Sequence, residues 1–551
     1  MISNIGDKNL ESSNVSEDTV ALVPDYKSET KPSKAYARYV LFVLLIVYVL
    51  NIVDRQIFAI LAEEIKADFG ITDADLGFLF GTAFAVFYGT FGIAFGRLAD
   101  LWNRKSLVAI GLLFWSVMTA LSGTARSFLH LALCRFGVGV GESSATPAAF
   151  SMLYDYFPPK VRTAVLAVYD SGIYIGGGLG LFLGATILEF WKNLYPDVSL
   201  APFGLKGWQA AFMLVGLPGL IAALWAFTLK EPVRGQQDGI ISKPHPHPFQ
   251  EAGMVLISML PICNFWLLMK SSNGFRAIAI NITMASGIIF MALILITLTD
   301  SITQWVALGI GVYAVGSWIQ FLTERDPVLF GLIFRCRTIL YLAIGGAAPI
   351  FAAVAIGFWA IPFFQRYHGV SATEVGTVLG LGNIIMGFIG VLLGGFIADR
   401  LRAHTSRGKL YVMAVSVGIF ICTSFTFLNM DSLFFAYAIA LAGVLFSAMG
   451  LPVSASVMND LMLPRGRATV SSLFLMTKTV IGTALGPYVI GHVSDIFSAS
   501  GTSGGEALRQ AMLWSLLMSV GGLLLIIQAI RHIDADEKSL LSRARELGED
   551  V

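Results

Sequence analysis

Five places in this 551-residue chain put charge inside apolar sequence: Asp54-Arg55, Arg135, Glu142, Asp170 and Lys478. A charge held in hydrocarbon costs about 3 kcal/mol by insertion scales, so its presence points to use. A carboxylate there can bind and release a proton as its neighbours change. Asp54, Glu142 and Asp170 are therefore the candidate proton-coupling residues. Arg55, Arg135 and Lys478 are cations able to hold a carboxylate or phosphate, and with Tyr174 and Asn383 they form the candidate substrate-binding set. Arg135 and Glu142 are two helical turns apart and share one helix face. Gly137, Gly139 and Gly141 between them let a neighbouring helix approach closely.

A second set sits where apolar runs end. Gly96, Asp100, Arg104 and Lys105, with Asp399 and Arg400, combine a helix-end carboxylate with basic residues. A carboxylate at such a place can cap another helix's N-terminal N–H groups, so this set reads as a gate. Other chemistry has little support. His245 and His247 alternate with proline and have no cysteine or carboxylate at ligand spacing. Four cysteines, at 134, 263, 336 and 422, make no CxxC, so neither a disulfide framework nor a zinc site is expected. No Ser/His/Asp set or P-loop stands out. No catalytic residue, metal or cofactor is assigned, and the chain does not read as an enzyme. Lys+Arg (37) and Asp+Glu (36) nearly cancel, without the basic excess of a nucleic-acid binder.

The elements that position these residues follow from composition. Apolar residues make up 56% of the chain and charged ones 13%, against about 25% charged in soluble proteins. About fourteen apolar runs are long enough to cross a ~30 Å hydrocarbon core. The expected fold is an all-α membrane protein. Residues 1–35 read as a disordered cytoplasmic tail with no signal-peptide core, and 36–230 as a first six-helix bundle. Residues 231–325 read as a cytoplasmic loop with an interfacial helix and an inserted transmembrane hairpin. Residues 326–531 form a second bundle and 532–551 a cytoplasmic tail. Helical rise puts Asp54 ~22 Å from the cytoplasmic edge and Arg135 ~12 Å below the outer edge. An Asp54–Arg135 pair or an Arg55-centred cluster is therefore expected. Lys478, ~16 Å deep, has Asp170, Glu142 or an anionic substrate as possible partners. Tyr88, Tyr169, Trp359, Phe363 and Asn459 join Tyr174 and Asn383 as cavity candidates by span position.

The chain also repeats itself. Gly96-Arg97-Leu98-Ala99-Asp100 recurs as Gly395-Phe396-Ile397-Ala398-Asp399, and Pro147 through Arg162 recurs as Pro452 through Arg467. Duplicated six-helix halves place a substrate site at their interface near mid-membrane.

On these residues the chain resembles the major facilitator superfamily, through Gly96-x-x-x-Asp100 followed by Asn103-Arg104-Lys105. More narrowly it resembles the Spinster-like family. The matching residues are Asp54-Arg55, Arg135-x-Gly137-x-Gly139-x-Gly141-Glu142, Phe157-Pro158-Pro159 with Arg162, Leu229-Lys230-Glu231-Pro232 and Phe363 through Gly369. The resemblance covers about 36–235 and 325–530 and departs at the 250–323 insertion, where the family usually has a plain loop. It implies two six-helix bundles and a secondary transporter working by alternating access, as symporter or antiporter. Spinster-like members are linked to lysolipids and sphingoid phosphates in animals and to organic solutes in bacteria. The resemblance also points to Asp54 as the coupling residue. The expected function is proton-coupled movement of an organic anion or amphipathic, lysolipid-like solute. An uncoupled facilitator of a small organic acid and a non-transporting sensor are the alternatives. The expected partners are the substrate, protons and the lipid bilayer. Basic turns such as Arg400, Arg402, Arg407 and Lys409 place both termini in the cytoplasm, and the lean loops suggest a bacterial inner membrane.

Overall fold

A computed structural model describes residues 33–158, 161–237, 246–270, 274–463 and 467–548. The polar tail before residue 33, Pro159 and His245 lie outside them. Every regular element among the described residues is helical. In hydrocarbon each backbone polar group needs a partner within the chain, and a helix supplies one.

The first half comprises α1 (Lys34–Phe69), α2 (Asp73–Phe80), α3 (Thr82–Leu101), α4 (Arg104–Ser122), α5 (Phe128–Glu142), α6 (Ala145–Tyr156), α7 (Arg162–Asp170), α8 (Gly172–Leu194) and α9 (Gly207–Phe227). The insertion holds short α10 (Pro248–Met259) and α11 (Phe265–Met269), the hairpin α12 (Gly274–Thr299) and α13 (Ile302–Arg325), and α14 (Pro327–Phe334). The second half runs through α15 (Arg337–His368), α16 (Ala372–Arg402), α17 (Gly408–Leu428), α18 (Leu433–Asp460) and α19 (Arg467–Thr477). A π-helical segment, Lys478–Ala484, leads into α20 (Leu485–Ala499), α21 (Gly504–Lys538) and α22 (Leu540–Glu546).

Thirteen described helical stretches are long and apolar enough to cross a bilayer. The α5–α6 pair makes a fourteenth crossing, interrupted at Ser143–Ser144. The chain is thus a multi-pass membrane protein. Local sequence sets the breaks. Gly70 ends α1 in the left-handed region at φ 62°. Thr72 and Asp75 then form a reciprocal capping box that starts α2, satisfying two otherwise orphaned N–H groups.

The repeat read from sequence appears as matching contacts. Arg104 of α4 bonds Asp155 of α6. Lys409 of α17 bonds Asp460 of α18 at 2.7 Å. The sequence offset between the two pairs is the same at both residues.

Both halves send their first helix toward one face, here called the far face. There Arg366, near the end of α15, grips Glu63 of α1 at 2.6 Å and Asp73 of α2 at 2.6 Å. Asp495 of α20 accepts the N–H groups of Asp73 (3.0 Å) and Ala74 (2.8 Å) at the start of α2, where a negative charge suits the helix dipole. One apolar cluster spans both halves on this side, with the Phe80 ring stacked on Phe358 at 4.2 Å. Toward the termini the core divides. One cluster there is drawn almost wholly from the first half and the insertion, the other from residues 329–544. The bundles are closed at the far face, and among the described residues no ion pair holds them together at the termini face.

That closure depends on Gly77. A Cβ there would lie 2.4 Å from the Pro487 carbonyl oxygen and 2.6 Å from the Tyr488 Cα. Backbone atoms cannot yield that space. Gly77→Leu is therefore expected to hold α2 off α20. The readout is alkylation of Ala74→Cys by a membrane-impermeant maleimide in a cysteine-free background. It should rise about tenfold or more, the change that 1.4 kcal/mol of lost closure produces.

Candidate functional site

The cluster forms deep in the first half. Asn51 and Arg55 lie one turn apart on α1, so they share a face. Arg55 Nη2 donates to Asn51 Oδ1 at 3.1 Å, and its Nε donates to Glu142 Oε2 at 2.5 Å. The Arg55 guanidinium lies 4.5 Å from the Phe84 ring centre and 4.6 Å from that of Tyr88. Asp54 points elsewhere and accepts a hydrogen bond from the Thr119 hydroxyl of α4 at 3.1 Å. Arg135 is 1% exposed, donates from Nε to the Leu79 carbonyl at 3.3 Å, and lies 5.4 Å from the Phe58 ring centre. The glycines of α5 permit this crowding. A Cβ at Gly139 would sit 2.5 Å from the Phe84 oxygen, and one at Gly141 2.8 Å from Trp115 Cβ.

Of the two expected arrangements, the Arg55-centred one is present, with Glu142 as its carboxylate. Asp54 and Arg135 make no ion pair within 4 Å among the described residues, although Asp54 feels the charges of Glu142, Arg135 and Arg55. Among the described residues, four buried polar atoms here have no hydrogen-bond partner: Asn51 Nδ2, Trp115 Nε1, Arg135 Nη2 and Glu142 Oε1. A buried, half-satisfied polar network is costly, and this one is placed to accept a proton, a water or an anion.

Lys478 opens the π-helical segment of the second half and faces the charges of Asp170 and Arg55. It makes no ion pair within 4 Å with Asp170 or Glu142 among the described residues. Single π turns inside α-helices recur at functional sites because they redirect a side chain.

A cavity of about 330 Å³ adjoins this cluster on the second-half side. Gln56, next to Arg55, is on its wall, with Tyr174 and Asn383 of the predicted set. The rest is mostly apolar, including Ile350, Val417 and Phe420, with Ser416 and Ser454 among the few polar groups. Arg55, Arg135, Glu142, Asp170 and Lys478 do not line it. Of the other cavity candidates, Tyr88 packs on Arg55, and Tyr169 stacks on Tyr48 with ring centres 4.5 Å apart. Trp359 donates to the Pro487 carbonyl at 2.8 Å, Phe363 stacks on Tyr367, and Asn459 accepts from Ser471.

The termini-face set behaves differently from its sequence pattern. Arg104 is 1% exposed and bonds Asp155, Glu231 (2.8 Å), Ser151 Oγ (2.9 Å) and the Pro232 carbonyl (2.8 Å). Glu231 also accepts the Lys105 N–H at 2.9 Å. Arg234 caps the end of α3 by donating to the Ala99, Asp100 and Trp102 carbonyls. Burial and then the Arg104 charge hold Arg234 below its usual pKa. The Asp100 carboxylate makes no hydrogen bond among the described residues. A Cβ at Gly96 would meet nothing within 4 Å, and Asp399 and Arg400 are exposed. Asp155, Glu231 and Arg234 were missed as site residues, though Glu231 lies in a quoted motif and Asp155 in the repeat. Arg104→Ala would leave Asp155 and Glu231 without their guanidinium. A loss of about 3–5 kcal/mol is expected for breaking a buried pair, read as a lower thermal unfolding midpoint in detergent.

The Major Facilitator Superfamily profile matches residues 44–487. The chain belongs to the Major Facilitator Superfamily. This facilitator is 27% identical over 494 residues to an MFS-type efflux pump of Mycolicibacterium smegmatis, covering 90% of this chain and 92% of the pump. It is 24% identical to the sphingosine-1-phosphate transporter SPNS2 of Danio rerio, covering 89% and 84%. It is 25% identical to the human protein spinster homolog 1, covering 90% and 81%. Among solved structures it resembles a bacterial homolog of the human lysosomal transporter Spinster in an inward-facing, occupied conformation. The TM-score is 0.63 at 23% identity, over 93% of this chain and 99% of that one. A D-xylose–proton symporter aligns at TM-score 0.55 and 11% identity, over 88% and 97%. The fold is thus that of the superfamily, and the protein is a membrane transporter of that superfamily, similar to Spinster proteins, and not an enzyme.

Proposed function

We propose that this facilitator is a proton-coupled transporter of an amphipathic organic anion, working by alternating access. The observation that carries this reading is the junction of two unlike surfaces. A mostly apolar cavity of the second half has Gln56 on its wall, and its neighbour Arg55 belongs to the buried cluster. An acyl chain suits the cavity, and a phosphate or carboxylate suits Arg55, Arg135 and Lys478. Sphingosine-1-phosphate, for which the SPNS2 relatives are named, is a single-chain lipid phosphate with that same chemistry.

Asp54 is the coupling residue in this proposal, with Glu142 and Asp170 as the carboxylates that respond to it. Rocking of the halves changes which cation stands near each carboxylate, and so whether it holds a proton. The termini face is the cytoplasmic one, given its basic turns, and the membrane is a bacterial inner membrane. The far-face closure then corresponds to an inward-facing state. Gly96, Asp100, Arg104, Lys105, Asp399 and Arg400 form the cytoplasmic rim that docks when the cavity turns outward.

The test is a flux screen in proteoliposomes with lysophosphatidic acid, alkyl phosphates and short carboxylates. Uptake of single-chain phosphates above short carboxylates is expected. Uptake of short carboxylates alone would favour the facilitator of small organic acids.

A further inference from the structure

Transport by two six-helix halves does not need the inserted hairpin, yet α13 occupies a definite place. The halves meet the bilayer along two seams. At one, α2 abuts α20 through Gly77 and α3 abuts the π segment, with Thr82 Oγ1 donating to the Ala484 carbonyl at 2.7 Å. At the other, α8 abuts α16, where a Cβ on Gly178 would lie 2.2 Å from the Gly380 oxygen.

The hairpin covers the first seam. Trp305 of α13 meets Tyr488 of α20 edge-on, with ring centres 5.6 Å apart. Gly311 presses on α3, where its Cβ would lie 3.1 Å from Val86. Ala307, Leu308 and Ala314 are buried. A buried polar clasp fastens the hairpin internally. Tyr313 OH donates to Asn281 Oδ1 at 2.6 Å, while Asn281 Nδ2 reaches Gln320 Oε1 at 2.8 Å and Ser317 Oγ at 3.0 Å. At the termini end, Phe249 of α10 packs on Trp102 with ring centres 4.9 Å apart, and Glu251 pairs with Arg97 at 3.5 Å. The outward face of α12 is apolar and exposed, including Phe290, Leu293 and Leu298, as a lipid-facing surface should be.

The second seam has no such cover among the described residues. Leu381, Ile385 and Phe388 of α16 are exposed beside it. Tyr174, Gly177 and Leu181 of α8, with Leu379 and Asn383 of α16, line the cavity directly behind it. Glycine contacts there leave little side chain to move aside.

We infer that the hairpin seals the seam of α2 and α3 with the π segment and α20 against the bilayer, so that a single-chain lipid phosphate passes between membrane and cavity only at the α8–α16 seam. This rests on the amphipathic-anion reading. The test uses the full chain in proteoliposomes and lysophosphatidic acid with a photoreactive acyl chain. Adducts suppressed by excess unmodified lysophosphatidic acid are mapped by mass spectrometry. Suppressible adducts on α8 and α16, and none on α3, α13 or α20, are expected. Gly311→Leu, which forces α13 off Val86, should add suppressible adducts on α3. Suppressible adducts on α3 or α20 in the unaltered chain would overturn the inference. So would none anywhere in a protein that moves lysophosphatidic acid. Failure to move any single-chain phosphate would instead overturn the reading beneath it.

Discussion

Asp54→Asn is expected to abolish accumulation of substrate driven by a pH gradient while leaving exchange of labelled for unlabelled substrate intact. Asparagine keeps the shape and still accepts the Thr119 hydrogen bond seen at 3.1 Å. It cannot take up or release a proton. Gradient-driven uptake should fall by about 100-fold or more, the scale at which losing a positioned proton-transfer group is felt. Exchange needs only the bundles to rock with substrate bound, so it should persist. Loss of both activities, with normal unfolding in detergent, would make Asp54 part of the scaffold. Unchanged uptake would move coupling to Glu142 or Asp170.

Arg366→Ala should have the second largest effect, on conformation. Its guanidinium joins Glu63 and Asp73 of the first half to α15 of the second, and its side chain is mostly buried. Hydrogen bonds to charged groups contribute about 1.5–3 kcal/mol each. Removing them also leaves Glu63, Asp73 and Asp495 close together with Lys66 as the remaining cation at Asp73. A shift of about 2 kcal/mol changes a two-state ratio about thirtyfold. Spin labels at Leu200→Cys and Ser500→Cys lie beyond the far-face ends of α8 and α20. Their distance distribution should gain a longer population in Arg366→Ala. An unchanged distribution would mean that apolar and glycine contacts alone hold the far face shut.

Much of the site was legible because intramembrane charge is rare. Asp54, Arg55, Arg135, Glu142, Asp170 and Lys478 stood out by type and surroundings. Helical spacing put Arg135 and Glu142 on one face, and the glycines between them do admit Phe84 and Trp115. Which acid pairs with which base was not legible. Depth along a span cannot separate Asp54 from Arg55, whose side chains leave α1 in different directions. The far-face clasp was missed for another reason. Glu63 and Asp73 belong to none of the sequence motifs, and Arg366 enters only within the stretch Phe363 through Gly369. Their meeting is a contact between halves some 300 residues apart in sequence. It leaves no local pattern. The cavity's bias to the second half had no sequence signal either, because Ser416, Val417 and Phe420 look like any packed helix.

The most direct test of proton-coupled anion transport is a pH-sensitive dye inside liposomes carrying the unaltered protein, with lysophosphatidic acid added outside. The proposal predicts a change in internal pH that appears with substrate, scales with its flux and vanishes in Asp54→Asn. Substrate flux with no dye response, unaltered in Asp54→Asn, would contradict it and leave an uncoupled facilitator.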